Sequence, residues 1–261
     1  VDYKMLKEAA DGGHLMVSSA CLGGPLSAEV FQHLQQVEFN DLNHKLLDDP
    51  SLAKKVMMGI GTTYDQLVDA VGAENVFLEL QFNKLSAQHL VNRALMQFAN
   101  QENLSDKLVV TCDSHYARPE HWKEREIYKK LGWLNHQDFD PSQIPQSREE
   151  LKCELYPKNA NQVWESYLET ADGMSFYDDS IVSAAIERTH DIAHNFIGEI
   201  SPDTSMKLPS YVIPEGNTAD KALVYIGQKA LIEKSHHINT RQRTRTNNAI
   251  QGNKEKHYNE D

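Results

Sequence analysis

The chain has 261 residues, 40% of them hydrophobic and 25% charged, which suits one large globular domain or one domain and part of another. No apolar run approaches the about 18 residues that a membrane-spanning helix needs, which excludes a membrane partner on sequence grounds. The net charge of −12 excludes a protein that coats nucleic acid with its whole surface.

Residues 2–11 read as a helix stopped by Gly12 and Gly13. Tyr3, Met5, Leu6, Ala9 and Ala10 repeat at helical spacing with no cap before them, and the closing stretch is polar without an apolar period. Residues are therefore expected to be missing at both ends of the natural protein. Residues 15–20 form a short strand ended by Cys21, and Gly23-Gly24-Pro25 is a turn. Residues 27–57 are mostly helical, broken near Asp48-Asp49-Pro50, with the irregular look of an insertion. Gly59-Ile60-Gly61-Thr62-Thr63 lacks the lysine of a phosphate-binding loop and reads as a turn before a helix over 64–71.

Residues 75–81 are a second strand. Ser86 caps an amphipathic helix whose Leu90, Ala94, Leu95, Phe98 and Ala99 share one face. Residues 108–112 are a third strand, and strand–helix–strand order at these lengths argues for parallel pairing. Residues 121–131 are helical, 135–148 a loop holding Pro141 and Pro145, and 161–167 a short helix. Asp178-Asp179-Ser180 caps a helix whose buried side is Ile181, Ala184, Ala185, Ile192, Phe196 and Ile197, stopped by Gly198. Residues 208–214 are extended, because each proline disfavours helix before it. Residues 218–233 form a further helix capped by Thr218.

The chemistry concentrates at strand ends. Asp113-Ser114-His115 follows a β-branched run directly, so a carboxylate and an imidazole can aim at one point. Cys21 ends the first strand in the same way. A thiolate, an imidazole and a carboxylate on neighbouring strand ends would make a transition-metal site. Barrels of parallel strands carry their reactive groups at this end. On spacing alone, Asp113 and His115 also fit a simple turn, and Cys21 a small buried residue. His190 and His194 lie four apart on one helical face, but no third ligand accompanies them and they read as structural. Cys112 reads as packing.

Three cysteines (Cys21, Cys112, Cys153) are too few for a disulfide framework and fit a reducing cytoplasm. Residues 1–25 carry no basic start followed by an apolar core, so no signal peptide is read. Charge is spread unevenly. From Lys234 to Asp261 six Lys or Arg face three Asp or Glu, a surplus of three positive charges that leaves −15 for the rest. Arg241, Arg243 and Arg245 alternate there with polar residues. They read either as a solvated tail or as contacts to a DNA backbone.

Five blocks, in order, resemble the alpha subunit of bacterial DNA polymerase III. They are Gly13-His-Leu-Met-Val-Ser-Ser-Ala-Cys-Leu-Gly-Gly24, Val76-Phe-Leu-Glu-Leu-Gln81, Val109-Val-Thr-Cys-Asp-Ser-His-Tyr116, Glu187-Arg-Thr-His-Asp-Ile-Ala193 and Leu208-Pro-Ser-Tyr-Val-Ile-Pro-Glu-Gly216. The resemblance implies an α/β fold: the later part of a polymerase-and-histidinol-phosphatase (PHP) domain, a distorted (β/α)7 barrel, over 1–170. A connecting helix over 171–207 and the start of the polymerase palm and thumb over 208–261 would follow. By motif position Cys21, Asp113 and His115 match three ligands of a zinc or manganese site. Metal-bound hydroxide there would hydrolyse phosphodiesters as a proofreading 3′–5′ exonuclease in DNA replication.

The family's His-x-His motif would lie before Val1, and its acidic magnesium-binding palm residues beyond Asp261. This segment alone would then lack the polymerase active site. Residues 32–72 are longer than the family's usual connection, as in a divergent relative, such as a viral one, split into pieces. The implied partners are DNA, the sliding clamp and the proofreading subunit. The alternatives are a stand-alone PHP-type phosphoesterase and a replisome scaffold without catalysis.

Overall fold

Three apolar runs become three parallel strands: β1 (Val17–Ser18), β2 (Val76–Leu80) and β3 (Leu108–Val110). Their order is β1-β2-β3, with Val17 opposite Val76, Leu78 opposite Leu108 and Leu80 opposite Val110. The computed structural model describes residues 2–13, 15–133, 145–196, 201, 203–205, 212–213 and 215–234. The chain divides into two compact units, Val1–Ile200 and Ser201–Asp261, and the sheet belongs to the first. Around it stand α1 (Tyr3–Ala10), α2 (Pro25–Phe31), α3 (Pro50–Val71), α4 (Ser86–Gln101), α5 (Trp122–Trp133), α6 (Ala160–Thr170) and α7 (Asp179–Asp191).

α3 corrects the sequence reading. Residues 59–63 are not a turn but the middle of a 22-residue helix. Pro50 starts it, and Asp49 accepts from Ser51 N at 2.8 Å and Leu52 N at 3.4 Å. Val56, Ile60, Thr63 and Leu67 then bury one stripe. Two interior glycines cost about 1 kcal/mol each, while burying Ile60 alone returns about 1.5–3 kcal/mol, so the stripe prevails. Gly59 also lets α2 approach: a Cβ there would stand 2.6 Å from the Glu29 carboxylate. Gly72, at φ 87°, ends the helix.

The face read on α4 is buried at every position named. Asn83 rather than Ser86 makes the bond at its start, accepting from Leu85 N at 3.0 Å. Asp178 caps α7 as expected, at 2.8 Å from Ser180 N and 3.2 Å from Ile181 N. The buried side of α7 is Val182, Ala185 and Ile186, while Ala184 is exposed. A π-helical turn over Ile192–Phe196 follows and shifts the phase that a uniform helix would keep. Ile197 and Gly198 lie outside the described residues.

One sheet face, with Val76, Leu78, Leu80, Leu108 and Val110, joins α3, α4 and α7 in the main core. α7 runs beside β3, and the Arg188 guanidinium donates to the Leu108 carbonyl.

The expected (β/α)7 barrel is not formed. Among the described residues the sheet has three strands and is unclosed, with β1 and β3 each paired only to β2. Three short strands cannot curl far enough to meet, since barrel diameter grows with strand number and three strands leave no room for an interior. The rest of the described chain is mainly helical. The fold therefore gives no support to the resemblance to a polymerase III alpha subunit. No described helix is long and apolar enough to cross a membrane.

In the second unit residues 219–234 form helix α8, with Thr218 Oγ1 3.4 Å from Lys221 N as its cap. Leu223, Val224, Tyr225 and Leu231 are exposed on it, and Ala222 is buried.

Candidate functional site

Side chains alternate along a strand, so the sheet's second face carries Ser18, Glu79, Gln81 and Thr111. Glu79 is buried at the centre of these polar groups. Its carboxylate accepts from Ser18 Oγ at 2.6 Å, from Gln81 Nε2 at 2.8 Å and from Thr111 Oγ1. Its own N–H donates to Ser19 Oγ at 2.8 Å. Neutral donors thus replace the water that a buried carboxylate loses. Beyond the strands, Ala20 (φ 60°) and Asp113 (φ 46°) sit in the left-handed region, which costs a non-glycine residue about 1–2 kcal/mol. Polar groups and backbone strain therefore share the carboxyl edge of the sheet, where open α/β sheets bind ligands.

A cavity of about 20 Å³ opens at this edge, lined by Gln81, Thr111, Cys112, Glu154, Lys158 and Ser166 among others. That is room for one water-sized group and far below a substrate pocket. Lys158 donates to the Glu154 carbonyl at 3.1 Å and lies 5.2 Å from the Tyr156 ring centroid. Burial lowers its ammonium below the ordinary lysine value, and the Glu154 charge acts against that. The cavity can seat a small hydrogen-bonding group between a cation and an amide.

Cys21, Asp113 and His115 occupy the loops after β1 and β3. His115 Nδ1 is 2.6 Å from the Asp113 carbonyl and donates to it, while the Asp113 carboxylate is 3.9 Å away. The His115 N–H is tied to the Leu155 carbonyl at 2.7 Å. The Asp113 charge bears on the Cys153 thiol. Burial, and then that charge, push Cys153 up to about 11, so it is protonated and unreactive at neutral pH. Among the described residues no group of three or more His, Cys, Asp or Glu could hold a metal ion. The zinc or manganese centre expected from the resemblance is thereby overturned, and the magnesium site expected beyond Asp261 is left without support. Without a metal group or a barrel, the PHP phosphoesterase, exonuclease and polymerase readings lose their support. The rings of His190 and His194 stand 4.1 Å apart. Arg241, Arg243 and Arg245 lie outside the described residues.

Behind the edge, a hub missed in the sequence fixes residues 81–83. His89 Nε2 faces the Asn83 carbonyl at 3.0 Å, so that nitrogen carries the proton, and Nδ1 accepts from Tyr177 Oη at 2.8 Å. Burial, opposed by the Asn83 bond, holds His89 below the ordinary histidine value. On acidification the unfolded chain takes up this proton first. Stability from this group is therefore full above about pH 6.5 and falls as pH drops below it, until the folded pKa is reached. Urea unfolding at pH 7.5 and pH 5 is expected to show that fall, and His89→Gln to shrink it. Equal falls in parent and variant would refute the assignment.

No known protein family matches the chain, and no curated protein matches it either.

Proposed function

We propose that the chain is a DNA-contacting module of the cytoplasm that meets the phosphate backbone through Arg241, Arg243 and Arg245. The observation that carries this reading is the separation of charge, with a surplus of three positive charges over residues 234–261 against −15 elsewhere. An acidic body repels the duplex and confines contact to the basic segment, where guanidinium groups pair with phosphate oxygens. Three free cysteines support a reducing setting. In the same unit α8 leads into this segment with Leu223, Tyr225 and Leu231 exposed. A protein of the same DNA-bound assembly, of the sliding-clamp or proofreading-subunit kind, is the partner proposed for that helix.

Fluorescence anisotropy of a labelled duplex, titrated with the whole chain between about 50 and 200 mM salt, tests the reading. Binding is expected to be weak, sequence-tolerant and salt-sensitive. Changing all three arginines to glutamine should lower the slope of log K against log salt by roughly 2.7, about 0.9 per lost contact. No binding at the lowest salt, or an unchanged slope, would overturn it.

A further inference from the structure

A surface helix ordinarily turns its apolar stripe inward and its charges outward. In α5 the outward side is apolar. Its packed side holds the buried Trp122 and the buried Glu126, whose carboxylate takes Lys129 Nζ at 2.9 Å and Arg125 at 3.4 Å. Its outer side holds Ile127, Tyr128 and Leu131, which are 59%, 78% and 61% exposed. Leu131 lies one turn from each of the other two, so the three adjoin. Apolar groups gathered in this way on a surface mark a contact face. A groove of about 510 Å³ runs beside them, lined by Lys123, Ile127, Lys130 and Gln146 among others. Lys123 and Lys130 are both exposed and stand two turns apart, about 10.5 Å along the axis. They fall to one side of Ile127 and Glu124 to the other. Lys123 lies 5.6 Å from the Trp122 ring, and among the described residues neither lysine forms an ion pair. Residues 118–130 carry five Lys or Arg against three Asp or Glu, a positive island in a chain of net charge −12.

We propose that this face binds an acidic amphipathic helix of another protein, its apolar ridge on Ile127, Tyr128 and Leu131 and its carboxylates on Lys123 and Lys130. Charge complementarity selects the occupant. A helix that repeats an acidic residue every seventh position presents carboxylates two turns apart, the spacing of the two lysines. Its apolar ridge also covers Ile127 and Leu131, which a phosphate backbone would leave in water. The face uses neither the basic segment nor α8, so it stands whether or not the chain binds DNA.

The test is fluorescence anisotropy of a labelled peptide of three heptads, with leucine at a and d, glutamate at e and g and alanine elsewhere, titrated with the whole chain. Saturable binding is expected, and about tenfold weaker binding of the matching peptide with lysine at e and g. Lys123→Glu combined with Lys130→Glu should reverse that preference. Ile127→Ser combined with Leu131→Ser should weaken both peptides about tenfold or more. All four positions are exposed, so the variants should fold, and unchanged circular dichroism checks that they do. An absence of saturable binding, the same preference after the charge reversal, or undiminished affinity in the serine variant would overturn the proposal. So would a labelled oligothymidine that binds in place of the peptide and loses affinity on the charge reversal, since the face would then serve a nucleic acid.

Discussion

Asn92→Ala is expected to lower stability by about 3 kcal/mol, because one buried side chain satisfies three neighbours at once. Asn92 is fully buried. Its Nδ2 donates to the Gln81 carbonyl and to Tyr177 Oη, each at 2.8 Å. Its Oδ1 accepts from Gln88 Nε2 at 3.0 Å and, less closely, from Gln81 N at 3.4 Å. Alanine would strand the backbone of Gln81 where β2 ends, and also the amide of Gln88, whose Oε1 already lacks a partner. Each stranded group costs about 1–3 kcal/mol before the site relaxes. The melting temperature should fall by roughly 6–12 °C. A loss below about 1 kcal/mol in urea unfolding would mean that the groups find other partners and that the hub is not structural.

Gly24→Ala should do at least as much damage, by geometry instead of hydrogen bonding. A Cβ at Gly24 would stand 2.0 Å from the Ser19 carbonyl oxygen and 3.0 Å from that of Cys21. Neither atom can swing aside like the end of a side chain. Ser19 is held to β2 through its N–H on the Phe77 carbonyl at 2.9 Å, and its Oγ takes the Glu79 N–H. Relieving the clash therefore peels β1 from β2, a loss of about 4 kcal/mol or more. Gly23→Ala is the matched control, because its nearest contact would be Cys21 Sγ at 3.9 Å. Thermal melts of the two variants should differ widely. Equal melting would show that the turn is not built as described.

Local chemistry made part of this fold readable in the sequence. The period of Leu90, Ala94, Leu95 and Phe98 placed the buried face of α4, and Asp178 and Thr218 marked helix starts through bonds that span three residues. Strand–helix–strand order gave the parallel pairing of β2 with β3. The same local signals misled where tertiary burial opposed them. Gly59 and Gly61 read as a turn, yet the stripe around Ile60 holds the helix through them.

At the strand ends, the spacing of Cys21, Asp113 and His115 brought chemistry into view but not the partners each group finds. His115 bonds to its own turn, and Asp113 bears on Cys153 from a loop 40 residues away. In the sequence Glu79 is only one polar residue within the second strand. Its ring of donors needs Ser18 and Thr111 from two other strands. The sequence by itself determined the caps at Asp178 and Thr218, the α4 face and the partition of charge, because each depends on neighbours along the chain or on composition, whereas it misplaced the cap of α4 and missed Asp2 as the cap of α1. Only the tertiary structure decided that three strands stay open and that Glu79 and Asn92 are satisfied, because those outcomes depend on contacts between residues far apart in the chain.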